Sequence, residues 1–315
     1  MTDAVAERGR RLFLTGAAAA SGMLLMGHSP YRRWSQYRAL HTVIATDRTD
    51  AGSFPLGERL AAHLGARSPA LKPVAGRAES AATVLSLLKT GQLDLGLLRS
   101  EDAYHAVHGD RSRSDTATPL RALTVLAPEY LYVIVMASSP VRMLTDLRGT
   151  RVGIVDTSGR AGIRARRLVT AAGFDADRDV RWMSVAAAEA ATALSRGAFD
   201  AGVLESHSLA PGAALAPSPG LRLRLVPHGD VASELVARHG PVYFPAVPLA
   251  GPDGLVAVDG PVLGEARLLV CRADYPPERS RAIAEALRGW SEVAPADTPL
   301  PIPRHAALAD PDTPT

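Results

Sequence analysis

A single cysteine, Cys271, stands in a chain of 315 residues, so no intramolecular disulfide can form and no multi-cysteine metal site exists. It ends the apolar run "ARLLVC", where a thiol acts as a small core hydrophobe. Lysine is almost as scarce: Lys72 and Lys89 are the only two, and the remaining positive charge is arginine. The 35 basic residues are spread along the chain against 32 acidic ones, a formal net charge of +3, which is no nucleic-acid footprint. There is no Gly-x-Gly-x-x-Gly fingerprint, no Walker loop and no Gly-x-Ser-x-Gly elbow, so the sequence points to no cofactor, no bound nucleotide and no catalytic residue. Aromatic residues make up only 5%, while 47% hydrophobic and 21% charged residues describe a folded globular chain. Its length exceeds the size at which single cores stop growing, so two lobes are expected.

What is present begins with an address. Arg10 and Arg11 directly precede Leu12, Phe13 and Leu14, and an apolar stretch runs to about Gly27. Charge followed by a short apolar run is an export pattern, and Arg-Arg-x-Phe-Leu resembles a twin-arginine signal, with Gly9 and Thr15 departing from its preferred flanks. No clear small-x-small cleavage motif follows Gly27, and "YRRWSQYR" is a basic, aromatic flank suited to a membrane surface. Residues 1–39 therefore read as a signal or an uncleaved anchor, in a protein that is periplasmic or held at the outer face of the membrane.

From Leu40 short apolar runs alternate with helical patterns, the mark of an α/β protein with largely parallel sheets. Residues 41–46 read as a strand, 55–67 as a helix with Leu56, Leu60 and Leu64 on one face, 79–92 as a helix ended by Gly91, and 93–100 as a buried strand. "LRALTVLAPEYLYVIVMA" reads as two strands around a turn at Pro128 and Glu129. A second strand–loop–helix cycle opens at Arg151. "LKTGQLDLGLLRSED" and "LSRGAFDAGVLESHS" share one order of helix, Gly, Asp, apolar strand and charged loop, as two similarly wound lobes would. "PVYFPAVPLAG" reads as an irregular crossing segment, and the Pro-rich chain from Ala294 as poorly ordered.

Several of these segments in order, "ATDRTDAGSFPLGERLAAHL", "VLSLLKTGQLDLGLLRSEDAY", "LRGTRVGIVDTSGRAGIRARRLVTAAGF", "AAEAATALSRGAFDAGVLES", "VYFPAVPLAG" and "ARLLVCRADYPPE", resemble the TAXI solute-binding proteins of TRAP transporters. The resemblance spans Val43 to about Glu292. It implies a two-lobed periplasmic-binding-protein fold, type II-like, with a ligand cleft between the lobes. Small carboxylates, including glutamate-like amino acids, are the implied ligands, and a TRAP membrane permease the implied partner. On this reading lobe 1 is 40–135 plus 255–292, lobe 2 is 136–254, and 293–315 is the Pro-rich tail. The loop before the first helix departs from the family's Gly/Thr-rich pattern. Ser158-Gly159-Arg160-Ala161 stands where the family has Gly-Ser-Gly-Thr, and Arg99-Ser100-Glu101, or Ser100-Glu101-Asp102 if aligned on the serine, where it has Gln-Ser-Asp.

Ligands of open α/β lobes sit beyond the carboxyl ends of strands, where loops feed helix N-termini that favour anions. Loops 47–54, 99–104, 156–162 and 204–208 have that place. Arg48, Arg99 and Arg160 offer planar guanidinium forks for a carboxylate, with Arg160 the preferred clamp. Thr49, Ser53, Ser100 and Ser158 can donate to a ligand oxygen or cap their helices. Asp50, Asp102, Asp156 and Glu205 can accept from an amino group or orient the arginines, with Asp50 and Asp156 better suited to caps or turns. Phe54 belongs to the first loop, and Tyr104 and Tyr243 supply aromatic walls. His105 and His108 lack a third ligand for a metal. The expected function is capture of a small anion by hinge closure. A sensor without a transport role, an exported enzyme using Glu205 and His207, and a receptor that has lost its ligand are the rivals.

Overall fold

The computed structural model describes residues 34, 37, 38, 40–50, 52–109, 117–155, 160–206, 222–248, 256, 257, 260–295 and 297–308. The export pattern, Asp156, Ser158 and His207 lie outside them. The chain forms two compact units, one of residues 1–126 with 267–315 and one of residues 127–266.

In the first unit β1 (Thr42–Asp47) lies between β2 (Pro73–Ala78) and β3 (Leu95–Arg99), all parallel, with Thr42 opposite Pro73 and Ile44 opposite Leu95. The end of β11 (Val262–Arg272) pairs antiparallel with β3, Arg267 opposite Arg99. All six residues of β1 are buried, as in parallel strands covered on both faces. Helix α1 (Ser53–Arg67) buries Phe54, Leu56, Leu60 and Leu64 on one stripe, and Pro55 falls in its first turn, where no intrahelical N–H is needed. Helix α2 (Ala81–Lys89) starts at Ser80, whose hydroxyl accepts from Thr83 N, and ends before Gly91 at φ +68°, a left-handed conformation that glycine adopts cheaply. Helix α3 (Ser100–His108) follows β3 directly.

Strand β4 (Leu120–Met136) begins in the first unit, and its part in the second, Tyr130–Ile134, pairs antiparallel with β7 (Ala201–Ser206). Parallel to β7 runs β5 (Arg151–Val155), and beyond it β6 (Arg181–Val185). Helices α4 (Arg160–Ala171) and α5 (Ala187–Ser195) pack on β5 and β7. The short β8 (Leu223–Leu225) adds to β4, helix α6 (Ala232–His239) follows it, and β9 (Tyr243–Ala246) pairs with the start of β11; β10 (Val256–Ala257) adds to β8. Tyr130, Tyr132, Ile134, Leu204, Leu223 and Phe199 form the core of this unit.

Three sequence expectations change. The span read as two strands around Pro128 is one strand, Leu120–Met136, with Pro128 inside it; proline at an extended position does not by itself enforce a turn. "VYFP" is strand β9 rather than irregular chain, since Tyr243 pairs with Glu265. The chain after Ala294 is packed as far as Leu308: Ile302 and His305 are buried, Ala122 N donates to Pro303 O and His305 N to Ala122 O. Helix α7 (Pro277–Ala286) adjoins this segment, and His305 Nε2 donates to Tyr275 O while its Nδ1 accepts from Ala307 N.

A Cβ at Gly57 would meet Thr46 Cγ2 at 2.6 Å, whereas one at Gly65 has its nearest neighbour, Pro73, at 3.6 Å. Alanine gains about 1 kcal/mol over glycine in a helix interior, but overpacking costs about 1–3 kcal/mol. Gly65→Ala is therefore expected to raise the melting temperature and Gly57→Ala to lower it. Separately, Asp200 accepts from Arg151 N at 2.8 Å and from its Nη2 at 2.8 Å, and the Arg151 side-chain bond holds the carboxyl below its ordinary pKa. A depressed folded-state pKa contributes stability above the unfolded value, near ~3.9, that is lost as the pH falls through the folded one. Asp200→Asn should lower the urea midpoint at pH 7, and the deficit should vanish in strongly acidic buffer.

Candidate functional site

The first unit gathers its charges where β1 and β3 end and α1 and α3 begin. Asp50, in the loop after β1, is buried. Its Oδ1 accepts from Gly52 N at 3.2 Å and from Arg267 Nη2 at 2.6 Å, while Arg267 Nε reaches Oδ2 at 3.1 Å. Arg99 Nε lies 3.3 Å from the same Oδ2. Arg99 is 5% and Arg267 2% exposed. Like charges directly opposite on neighbouring strands repel, so the 99–267 pair holds because Asp50 stands against both. Burying a guanidinium without such a partner would be prohibitive. Asp50, read from sequence first as a cap or turn residue and otherwise as a group that orients arginines, does both: it accepts from Gly52 N and stands against Arg99 and Arg267.

Around this cluster the other sequence candidates take different places. Arg48 and Thr49 are exposed, and Thr49 spends both its N–H and its hydroxyl on Asp47 Oδ1, each at 2.7 Å. Ser53 is buried with its N–H donated to Asp50 O, and Phe54 is buried with the Arg77 guanidinium 3.9 Å from its ring centroid. Ser100 is buried at the start of α3, Asp102 is half-buried in the first turn, and the half-buried Tyr104 tilts against His108 with centroids 4.2 Å apart. His105 lies 3.7 Å from Glu101 Oε1. Among the described residues no group of three His, Cys, Asp or Glu is placed to hold a metal.

The second unit has its own cluster. Arg164, one turn beyond Arg160 on α4, is 4% exposed. Its Nη1 donates to Glu205 Oε1 at 2.5 Å and lies 3.4 Å from Glu129 Oε2, and its Nη2 donates to Glu265 Oε2. Burial opposes the charge on Arg164, but the fields of Glu205 and Glu265 outweigh it and hold its pKa above the ordinary arginine value. Tyr243, buried on β9, accepts from Arg167 Nη1 at 2.9 Å. Arg160 itself is half-buried at the first residue of α4. Thus Arg99, Glu205 and Tyr243 each sit in a polar network, and Ser158 is outside the described residues.

Arg164, Arg267, Glu129 and Glu265 were missed as candidates although their signal was in the sequence. Glu265 and Arg267 interrupt the otherwise apolar sequence before Arg272 in a strand of eleven residues, and every residue of that strand before Arg272 is buried. Arg164 falls on the same helical face as Ala161, Ala165 and Leu168, which are buried with it. Charged groups inside apolar patterns are those that must find partners. Cys271 is buried as the sequence suggests, and desolvation pushes its thiol up to about 12.

Solved structures of low identity resemble the chain. The periplasmic aliphatic sulphonate binding protein SsuA from Escherichia coli is 17% identical over 79% of this chain and 70% of its own, with a TM-score of 0.45. A binding protein component of an ABC phosphonate transporter from Pseudomonas aeruginosa is 13% identical over 77% of this chain and 72% of its own, with a TM-score of 0.41. A Xanthomonas citri protein bound to chloride ion is 16% identical over 78% and 82%, with a TM-score of 0.43. Likeness at that level carries no argument about a ligand. A family pattern, by contrast, matches residues 44–293, most of the length: the chain belongs to the NMT1-like family.

Proposed function

We propose that the protein is an extracytoplasmic solute-binding receptor that captures a small anionic metabolite, a carboxylate or an amino acid such as glutamate, by hinge closure for a TRAP-type membrane permease. The observation that carries the reading is the Asp50–Arg99–Arg267 cluster, buried where β1 and β3 deliver the chain into α1 and α3. Helix N-termini and fixed guanidinium forks both favour a negative group, and neither has to reorganise to meet one. The resemblance of the ordered segments to TAXI receptors supports the transport role. The twin-arginine-like leader supports export.

The clusters are given different work on this reading. Arg164, enclosed by Glu129, Glu205 and Glu265, holds the second unit together, whereas Arg160 at the opening of α4 is the arginine offered to the ligand. Glu205 is held by Arg164 and serves as a positioning group rather than an acid or base.

Thermal-shift measurements against small carboxylates, amino acids, sulfonates and phosphonates test the ligand, because a solute bound only by the folded state raises its melting point by mass action. A saturable rise with a carboxylate or amino acid is expected, and Arg160→Ala is expected to abolish that rise. A response confined to sulfonates or phosphonates would replace the carboxylate assignment. Arg164→Met should instead destabilise the protein by about 3–5 kcal/mol in urea, since it strands buried carboxylates; an unchanged midpoint would remove Arg164 from that structural role.

A further inference from the structure

Within the basic, aromatic flank, Trp34 and Arg38 dock on the first unit instead of facing a membrane surface. Trp34 is buried and its Nε1 donates to Gln92 O at 3.0 Å. Arg38 donates from Nη1 to Gly91 O at 2.5 Å and from Nη2 to Asp94 Oδ1 at 2.6 Å. Tyr37 stacks on His41 with centroids 4.2 Å apart, and His41 leads straight into β1. All three acceptors lie in the turn between α2 and β3. That turn is at the amino end of the parallel strands, the end opposite to Asp50 and Arg99. A strand of five residues separates the two ends by about 16 Å.

We propose that Trp34, Tyr37, Arg38 and His41 anchor a strap that holds a retained N-terminal apolar segment at the amino end of the first unit. The occupant of that face is then a lipid bilayer, and the loops carrying the candidate site point away from it. Three features argue for the bilayer. The apolar stretch ends near Gly27, so the seven steps to Trp34 reach at most about 25 Å even when fully extended. The intervening chain carries Arg32 and Arg33, and exposed Lys89 stands at the end of α2 beside the same turn, matching an anionic headgroup surface. A cut within the strap would strip Trp34 and Arg38 from the carbonyls they satisfy, and no clear small-x-small motif follows Gly27 ahead of it. This inference is independent of the ligand and of the permease.

The test uses the full chain, expressed in bacteria and reconstituted into phosphatidylethanolamine–phosphatidylglycerol vesicles containing a nickel-chelating lipid. Spin labels are placed singly at Thr90→Cys, beside the strap, and at Arg48→Cys, at the carboxyl end of β1; both positions are exposed, and the native Cys271 is buried. Intact mass should show the apolar segment retained, and nickel should relax the Thr90 label at least threefold more than the Arg48 label. Inserting twenty Gly/Ser residues between Gly27 and His28, which leaves the folded units untouched, should bring the ratio close to one. So should Trp34→Ala with Arg38→Ala, with folding checked by circular dichroism. A chain cut after the apolar segment, equal relaxation at the two labels, or a ratio that survives the inserted linker would each overturn the proposal.

Discussion

A guanidinium removed from water has to be met by acceptors within hydrogen-bond reach, and at Arg99, Arg267 and Arg164 those acceptors are carboxylates that tie strand ends to helix starts in each unit. In the first, Asp50 stands between Arg99 and Arg267, which the β3–β11 register places directly opposite each other. In the second, Arg164 draws Glu129, Glu205 and Glu265 from three strands to one point on α4. Each cluster fixes the geometry of strand ends and helix starts, which is where an α/β unit can present amide and guanidinium donors to a small solute. Structure and candidate chemistry therefore share side chains.

The elements with strong periodicity were readable from sequence. The Leu56, Leu60 and Leu64 stripe is the buried face of α1, and the apolar runs before Arg99 and Ser206 are β3 and β7. What escaped depends on partners distant in sequence. Pro128 looks like a turn until β4 is seen to run through it, and the chain from Tyr243 looks irregular until β11 is found beside it. The Pro-rich chain near Ile302 has no periodic pattern of its own and takes its order from Ala122 and Tyr275.

The same holds for the candidate site. The loops after β1 and β3 could be located, and Arg99 could be named, because strand–loop–helix order is a local property. The partners that give Arg99 its place, Asp50 and Arg267, are separated from each other by most of the chain. Arg48 and Thr49 share that loop with Asp50, yet local turn bonds leave both exposed. Arginine-rich composition hid Arg164 and Arg267 among many other arginines, and only the apolar context around each marked it out.

The central claim is that an anionic solute meets the buried arginine pair of the first unit. Side-chain Nε–H NMR signals of the arginines, assigned by substitution and followed while glutamate and other small acids are added, report on it directly. The account predicts saturable shifts at Arg99 and Arg267 with at least one acid, and none at Arg164. Signals of Arg99 and Arg267 that stay fixed while an acid demonstrably binds would contradict it.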